Sequence, residues 1–174
     1  MGMTAEKNQQ EISLIAAYSC NNVIGKDGRI PWYIPGEQKR FKTLTSGNVV
    51  IMGRKTFEEI FDKLKKPLPD RINLVVSTTK DFAEIGCPTF LSLEEALKFA
   101  ALKFPEKKVF ICGGSRLYEQ AVPIVKKMYI TEIDLNIEGD VFFPLFNKEN
   151  FDIITEGIFN DSIKYKYLTY IKKA

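Results

Sequence analysis

Glu37 is the acidic residue whose neighbours best suit catalysis or ligand binding. It follows residues 31–35 (PWYIP), and Glu37, Phe41 and Leu44 have the i, i+4, i+7 spacing of one helical face. A carboxylate on the apolar side of a helix is costly unless it has a partner. The alternative is that Glu37 is only an acid in a first helical turn, where the helix dipole stabilises it. Spacing alone favours this alternative, although residues 38–40 already supply a polar face for the helix.

An apolar run followed by two cations predicts a phosphate site. Residues 49–52 (VVIM) read as a buried strand, and Gly53, Arg54 and Lys55 follow at the start of a helix. Backbone N–H groups at a helix N-terminus, with Arg and Lys beside them, bind phosphate. Thr56 also fits a capping box with a glutamate three residues on, which would give it a purely structural role. The two interpretations are about equally supported and are compatible.

Paired glycines form the third candidate. Residues 109–112 (VFIC) read as a strand, which ends in Gly113 and Gly114 before Ser115 opens a helix. Glycine pairs usually mark simple turns, but between a buried strand and a helix they let a diphosphate approach the backbone. The spacing matches neither GxGxxG nor a P-loop. Together, the three candidates predict a crevice at the carboxyl ends of the strands, where open α/β sheets bind ligands.

The composition excludes several kinds of enzyme. The chain contains no histidine, which excludes serine and cysteine triads, most zinc enzymes and histidine general acids. Cys20, Cys87 and Cys112 form no CxxC and are odd in number, which argues against a disulfide framework or a cysteine-bound metal. Catalysis therefore has to depend on a carboxylate, a cofactor or both, and no metal site is expected.

Length and net charge indicate how many domains the chain has and which classes of ligand it binds. The 174 residues fit one domain, and the net charge of +3 suits an anionic small molecule better than a nucleic acid. No apolar run approaches the ~20 residues of a membrane span. The first eleven residues are polar and show no signal peptide. We expect a cytoplasmic protein that binds neither membranes nor nucleic acids.

The elements that would position these residues alternate between strand and helix. Strands are predicted at 12–18, 49–52, 72–77 and 109–112, because these short apolar runs are rich in β-branched residues. A helix is predicted at 92–104, with a capping box formed by Ser92 and Glu95. Residues 151–159 and 163–171 flank Asn-Asp-Ser and predict an antiparallel hairpin. The pattern indicates a single α/β domain with a largely parallel, mixed sheet.

Six sequence blocks resemble those of dihydrofolate reductases and occur in the same order. They are ISLIAAYSCNNVIGKDGRIPWYIPGEQKRFK (12–42), VVIMGRKTFEEI (49–60), PLPDRINLVVS (67–77), VFICGGSRLYEQ (109–120), MYITEID (128–134) and IEGDVFFP (137–144). The resemblance implies an eight-stranded, mostly parallel mixed sheet with flanking helices and an antiparallel C-terminal hairpin. It covers residues 12–174 as one domain and leaves residues 1–11 as a polar N-terminal extension.

The resemblance implies reduction of 7,8-dihydrofolate to 5,6,7,8-tetrahydrofolate, with hydride transfer to C6 and protonation at N5. Glu37, Trp32 and Thr131 would be the catalytic residues. Glu37 would bind the 2-amino group and N3 of the pteridine, and Thr131 and Trp32 would assist through a hydroxyl and a water. Burial should raise the pKa of such a carboxyl. Glu37 would thereby orient the ring and tune the proton supply, while water delivers the proton.

The same resemblance assigns a substrate-binding set. Its members are Ile15, Glu37, Phe41, Ile60, Leu68, Arg71, Cys112 and Thr131. Phe41 would pack on the pteridine, backbone carbonyls of Ile15 and Cys112 would face it, and Ile60 and Leu68 would line the aminobenzoate channel. Arg71 would grip the α-carboxylate of the glutamate tail, a task that suits a guanidinium; the alternative is a surface cation beside a turn.

NADPH is the cofactor that the resemblance implies. Arg54 beside the ribose 2′-phosphate is the physical reason to prefer NADPH over NADH. A cis peptide is expected between Gly113 and Gly114, as in the family. The cofactor-binding set is Ala17, Ile24, Gly53, Arg54, Lys55, Thr56, Ser77, Thr78, Gly113, Gly114, Ser115, Arg116, Leu117 and Tyr118.

Residues 25–30 resemble the family's lid over the nicotinamide, and Asp140 would latch it. The chain departs from the family at Cys112, where an aliphatic residue is usual, and at Ser115, which replaces a third glycine. Glu37 stands where most bacterial members have Asp, and residues 61–66 are longer than in short bacterial forms.

Residues 36–38 are similar to those of reductases insensitive to trimethoprim. Among antifolates we therefore expect weakened trimethoprim binding and retained methotrexate binding, in a monomeric protein.

Two other functions remain open at this stage. An NADPH-dependent riboflavin-pathway reductase shares the fold but reduces a ribosylamino-pyrimidine, and it leaves the set of Trp32, Glu37 and Phe41 unexplained. A non-catalytic nucleotide-binding module would need the glycine turns and cations but not Glu37. Substituting Glu37 therefore discriminates between a reductase of pterins and a nucleotide-binding module.

Overall fold

The computed structural model describes residues 10–27 and 30–174. In these residues the strands are β1 (Ile12–Ser19), β2 (Val23–Gly25), β3 (Val49–Gly53), β4 (Ile72–Val76), β5 (Thr89–Phe90), β6 (Val109–Ile111), β7 (Lys127–Ile133), β8 (Val141–Phe142), β9 (Phe151–Asn160) and β10 (Lys164–Lys172). The helices are α1 (Pro35–Thr45), α2 (Arg54–Leu64), α3 (Leu93–Lys103) and α4 (Ser115–Ala121).

Eight strands form one mixed sheet in the order β5-β4-β3-β6-β1-β7-β10-β9. All neighbours from β5 to β7 are parallel, and β10 pairs antiparallel with both β7 and β9. The remaining strands, β2 and β8, form a separate antiparallel pair. The predicted α/β fold with an eight-stranded, mostly parallel sheet and a C-terminal hairpin is confirmed.

The central strands are buried because helices cover both faces of the sheet. Leu14 and Ile51 point to the face covered by α3 and α4, whereas Ile15, Val50 and Met52 point to the face covered by α2 and part of α1. Consecutive residues of one strand therefore belong to different apolar clusters and alternate residues to the same one, as the two-residue period of a strand requires. This continuous burial explains why the parallel strands were visible in the sequence as apolar runs.

Helix α3 confirms the predicted helix, with one change at its start. The Ser92 hydroxyl accepts a hydrogen bond from the Glu95 backbone N–H at 3.2 Å. The Glu95 carboxylate, however, accepts from the Leu91 N–H at 3.3 Å. In a capping box this carboxylate accepts from the N-cap N–H, which here is that of Ser92. In α3 it accepts from the preceding residue instead.

Helix α2 begins earlier than its capping pattern implied. Gly53 is the N-cap residue, with no side-chain cap, and the helix starts at Arg54. Thr56 is therefore the third helical residue, and the capping-box role considered for it is wrong. Its hydroxyl is left available to other partners at the N-terminus of the helix.

The start of the described chain is attached to the sheet. The Gln10 side-chain amide donates to the carbonyls of Phe104 at 2.7 Å and Lys107 at 3.0 Å, which follow α3. Glu11 lies within 3.7 Å of Lys108 and 3.5 Å of Lys127. The N-terminal extension proposed for residues 1–11 falls, for residues 1–9, outside the described residues. In residues 10–27 and 30–174, no helix has the length and apolar character that crossing a bilayer demands.

Candidate active site

Glu37 lies in the first turn of α1 and faces strand β7. The Thr131 hydroxyl donates a short hydrogen bond to Glu37 Oε2. Thr131 is 1% exposed, and its register partner on β1 is Ala17. The structure thus brings together two of the three residues predicted to be catalytic.

The surroundings of Glu37 perturb its ionisation. Burial raises the pKa of the Glu37 carboxyl above its ordinary value, because the charged form loses hydration. The hydrogen bond from Thr131 and the positive charge of Arg40 both act in the opposite direction. The net direction is upward, which favours the protonated acid more than in an exposed glutamate.

Trp32, the third predicted catalytic residue, lies in the loop before α1. It packs with Ala17 against a small buried cluster formed by Ile34, Ile133 and Tyr165. This cluster joins the loop, β1, β7 and β10 beside the Glu37–Thr131 pair. The structure therefore places Trp32 beside β1 and β7. Within the described residues its indole makes no hydrogen bond.

Five of the predicted substrate-binding residues belong to one apolar cluster. Ile15 comes from the middle of β1 and Cys112 directly follows β6, Phe41 and Ile60 come from α1 and α2, and Leu68 comes from the loop before β4. These residues are far apart in sequence and are brought together because α1 and α2 cover the same face of the sheet. A flat, largely apolar ligand beside Glu37 would meet this surface.

The Ile15 carbonyl and the Cys112 thiol each have a definite partner. The Tyr118 hydroxyl donates to the Ile15 carbonyl at 2.9 Å, which fixes the middle of α4 against β1. The buried Cys112 thiol lies 3.4 Å from the Phe110 carbonyl. Burial raises the pKa of the Cys112 thiol, so it remains a neutral, apolar group near neutral pH.

Arg71 is held in place rather than free on the surface. Its Nε donates to the Pro69 carbonyl at 2.7 Å, and Nη1 donates to Thr45 Oγ1 at 3.2 Å. The guanidinium lies 6.0 Å from the centre of the Phe41 ring. These contacts link the position of Arg71 to the same helix that carries Glu37.

A cavity of about 670 Å³ opens where three strands end. The junctions β3–α2, β4 with its following loop, and β6–α4 contribute most of its wall, as the sequence predicted. Eleven of the fourteen residues predicted to bind a cofactor line it: Ile24, Gly53, Arg54, Lys55, Thr56, Ser77, Thr78, Gly114, Ser115, Arg116 and Leu117.

The other three predicted cofactor residues, Ala17, Gly113 and Tyr118, are not in that wall. The sequence interpretation in turn missed seven residues that line it: Gly25, Glu59, Val76, Thr79, Leu91, Gln120 and Val141. Thr79 directly follows two residues that were identified, so the run Ser-Thr-Thr could have revealed it. Leu91 follows a two-residue strand, which is too short to give a periodic signal.

The paired glycines connect two of these junctions. The peptide between Gly113 and Gly114 is cis, as expected from the resemblance. The Gly53 N–H donates to the Gly113 carbonyl at 2.8 Å, which ties the end of β3 to the end of β6. Gly113 has φ +112°, and a Cβ there would lie 3.2 Å from the Tyr118 ring. The position therefore requires glycine.

The segment predicted to form a lid is described only in part, because Gly28 and Arg29 lie outside the described residues. The Asp140 carboxylate accepts from the Asp27 N–H at 3.2 Å, and the Asp140 N–H donates to the Gly25 carbonyl at 3.1 Å. Together with the β2–β8 pair, these bonds hold residues 23–27 beside the cavity. The role of Asp140 as a latch stays a prediction, which these two bonds support.

Comparisons with known proteins give matches over most of the chain. A family model described as dihydrofolate reductase matches residues 11–172. The chain is 39% identical to a dihydrofolate reductase of Bacillus subtilis (strain 168), over 93% of this chain and 95% of the relative. It is 36% identical to a dihydrofolate reductase type A13 of Escherichia coli (93% and 94%) and 37% identical to a dihydrofolate reductase of Neisseria meningitidis serogroup B (93% and 98%).

Proposed function

Since the chain belongs to the dihydrofolate reductase family, we propose that it reduces 7,8-dihydrofolate to 5,6,7,8-tetrahydrofolate with NADPH. It is an oxidoreductase that acts on a small-molecule substrate. The observation that supports the reaction best is the half-buried Glu37 carboxyl, bonded by Thr131 at the edge of an apolar cluster. A protein that only bound nucleotides would have no use for this acid.

The large cavity fits NADPH in its chemistry. The N-terminus of α2 and the side chains of Arg54, Lys55 and Arg116 line the wall and would hold phosphates. At Gly114 the wall lacks a side chain, and a Cβ there would contact Thr56 Oγ1 at 3.4 Å. When bound, NADPH supplies the hydride that is added to C6 of the pteridine. Arg54 would recognise the 2′-phosphate that distinguishes NADPH from NADH.

On the substrate side, Glu37 would accept hydrogen bonds from the 2-amino group and N3 of the pteridine. Phe41 and the rest of its apolar cluster would exclude water from the faces of the ring. Since burial raises the pKa of Glu37, the carboxyl keeps a proton available to the ring more readily than an exposed acid would. A water ordered near Trp32 would carry the proton to N5.

Arg71 would bind the α-carboxylate of the glutamate tail. Its bonds to Thr45 and to the Pro69 carbonyl leave a guanidinium already oriented beside Phe41. Orientation before binding lowers the entropic cost of gripping a carboxylate. Ile60 and Leu68 would line the channel between the ring and the tail.

The proposal also covers the location of the protein, its oligomeric state and its binding of inhibitors. We infer a cytoplasmic monomer whose single reductase domain begins at residue 12, and whose pterin site binds antifolates. Its three cysteines are free among the described residues, which suits a reducing compartment. The riboflavin-pathway reaction is not favoured, since it gives Glu37 and Phe41 no role.

The test is steady-state turnover of dihydrofolate, followed by cofactor oxidation, with NADPH and with NADH. Glu37→Gln should lower hydride transfer by about 10²-fold or more while the affinity for NADPH stays unchanged. Glu94→Gln is the matched control, because Glu94 is also an acid in a first helical turn but is exposed and pairs with the exposed Lys98. Absence of dihydrofolate turnover in the wild type would show that the proposed reaction is wrong. Equal turnover by the wild type and Glu37→Gln would show that Glu37 has no catalytic role.

A further inference from the structure

Arg40 lies three residues after Glu37. The helical pattern predicted that it faces solvent, but its guanidinium lies against the sheet. Its Nη1 donates to the Ile130 carbonyl at 3.3 Å and to Thr131 Oγ1 at 3.4 Å. The guanidinium carbon lies 4.1 Å from the centre of the Tyr167 ring, a distance typical of cation–π contacts. Three contacts from β7 and β10 thus hold the cation beside the proposed active site.

The direction of the hydrogen bonds links Arg40 to Glu37. A guanidinium can only donate, so the Thr131 oxygen accepts from Arg40. The one hydroxyl proton of Thr131 is then free to point at Glu37 Oε2, to which it is bonded. The chain Arg40–Thr131–Glu37 therefore presents Thr131 to the carboxyl as a donor, the arrangement that stabilises the charged form.

The charge of Arg40 acts in the same direction as this bond. Its positive charge favours the Glu37 carboxylate, whereas burial disfavours it. The other titratable groups that act on Glu37 or Arg40 are Tyr118 on α4, Tyr129 on β7, Tyr165 and Tyr167 on β10, and Glu156 on β9. Burial raises the pKa of Tyr167 to about 12, so this ring stays neutral where the enzyme would work.

We infer that Arg40 is a positioning residue that acts through Thr131 on Glu37 and sets the upper pH limit of hydride transfer. The inference rests on the proposed dihydrofolate reduction. Arg40 would act through Thr131 and not on the pterin itself, since its Nη1 donates to Thr131 and to the Ile130 carbonyl and its guanidinium lies on the Tyr167 ring. Its effect would be to lower the proton affinity of the Glu37 carboxyl below the level that burial alone would give.

The sign of the effect follows from this balance. Without Arg40 the pKa of Glu37 rises further, since one of the two influences that lower it is lost. The protonated acid then persists to higher pH, and the rate of hydride transfer falls at a correspondingly higher pH. A purely structural role would instead lower the rate equally at every pH.

Arg40→Met tests the inference, because Met keeps an apolar stem and removes the charge and the donors. The midpoint of the pH profile of single-turnover hydride transfer should rise by about 0.5–1 unit, and Arg40→Lys should restore most of the difference. Lys39→Met is the matched control: it removes the same charge from the adjacent, exposed position of α1 and should leave the midpoint unchanged. Arg40→Gln provides a second neutral variant if the Met variant does not fold.

A measurement on the free protein separates this inference from the proposed function. Carbon-13 NMR of labelled glutamate carboxyls, with the Glu37 signal identified by its loss in Glu37→Gln, should show the same upward displacement in Arg40→Met. Equal titration midpoints in Arg40→Met, Lys39→Met and wild type would overturn the role of Arg40. Absence of dihydrofolate turnover in the wild type would instead overturn the proposed function, while the NMR titration would still decide whether Arg40 acts on Glu37.

Discussion

Glu37 combines a role in the proposed reaction with a cost to folding. Its carboxyl is half-buried and has Thr131 as its hydrogen-bond donor, with Arg40 acting through charge. An apolar or neutral residue would be easier to bury at the same position. Sites of this kind commonly exchange stability for activity.

Glu37→Gln should therefore stabilise the free protein at neutral and alkaline pH. Because burial raises the pKa of Glu37 in the folded state, the folded protein binds this proton more tightly than the unfolded chain. Stability is then lost as the pH rises from the pKa of Glu37 in the unfolded chain through its higher pKa in the folded protein. Thermal unfolding of the Gln variant at pH 8 should show a midpoint higher by about 2–4 °C, the shift that ~1 kcal/mol produces in a chain of this size.

The same comparison at acid pH is the internal control. Below both pKa values the Glu37 carboxyl is protonated in the folded and the unfolded protein, and Glu and Gln become nearly equivalent. The two proteins should then unfold at the same temperature. A Gln variant that is less stable at pH 8 would contradict the view that burial dominates the ionisation of Glu37.

The spacing of single residues revealed part of this site but not Arg40. The i, i+4 pattern correctly placed Glu37 and Phe41 on an inward face, because that pattern is a property of α1 alone. Arg40 was placed on the polar face by the same rule. Its actual position depends on the Ile130 carbonyl and the Tyr167 ring, which come from strands about 90 and 130 residues later in the chain.

Among the structural elements, the β2–β8 pair controls one wall of the cofactor cavity. Ile24 and Gly25 from β2 and Val141 from β8 line the cavity. Gly139, just before β8, approaches β2 closely: a Cβ there would collide with Val23 and lie 2.7 Å from the Gly25 carbonyl oxygen. The small residue therefore keeps the two strands together.

Gly139→Ala should weaken NADPH binding about tenfold, since overpacking costs about 1–3 kcal/mol and would displace this wall. Isothermal titration of NADPH measures the change. Gly157→Ala is the control: its Cβ would lie 2.9 Å from the Phe159 ring, which can move, and β9 does not line the cavity. Unchanged affinity in Gly139→Ala would show that the β2–β8 pair does not shape the cofactor site.

Element by element, the sequence was most informative where burial was continuous. The runs that became β1, β3, β4 and β6 were identified to within one residue at most ends, because parallel central strands are apolar on both faces. Strands β2, β5 and β8 have two or three residues each and carry no periodic signal. The helix start at Arg54 was also obscured, because Thr56 and Glu59 imitate a capping box.

For the molecule as a whole, cofactor binding should be coupled to global stability. A ligand that binds only the folded state adds about 2.7 kcal/mol at 100 times its Kd, which corresponds to about 5–10 °C in a chain of this size. We expect NADPH to raise the unfolding midpoint more than NADH at equal concentration, because Arg54 lines the cavity. Arg54→Met should abolish most of this difference.

Lys80→Met is the matched control for Arg54. Both cations lie 3.3 Å from the same Glu58 carboxylate, but Lys80 is not part of the cavity wall. Differential scanning calorimetry with each cofactor would compare the three proteins. If Lys80→Met also loses the preference for NADPH, the general charge of this surface is responsible and not Arg54.

The outermost strand of the sheet has a consequence for handling the protein. β9 ends the strand order, and Ile153, Ile154 and Ile158 on it are 46%, 45% and 77% exposed. An exposed strand rich in isoleucine can template the growth of intermolecular sheet, whereas charges on it oppose aggregation. Asp152 and Glu156 supply such gatekeeper charges on this strand. Replacing Ile158 by lysine would add another and prolong the shelf life of concentrated stocks.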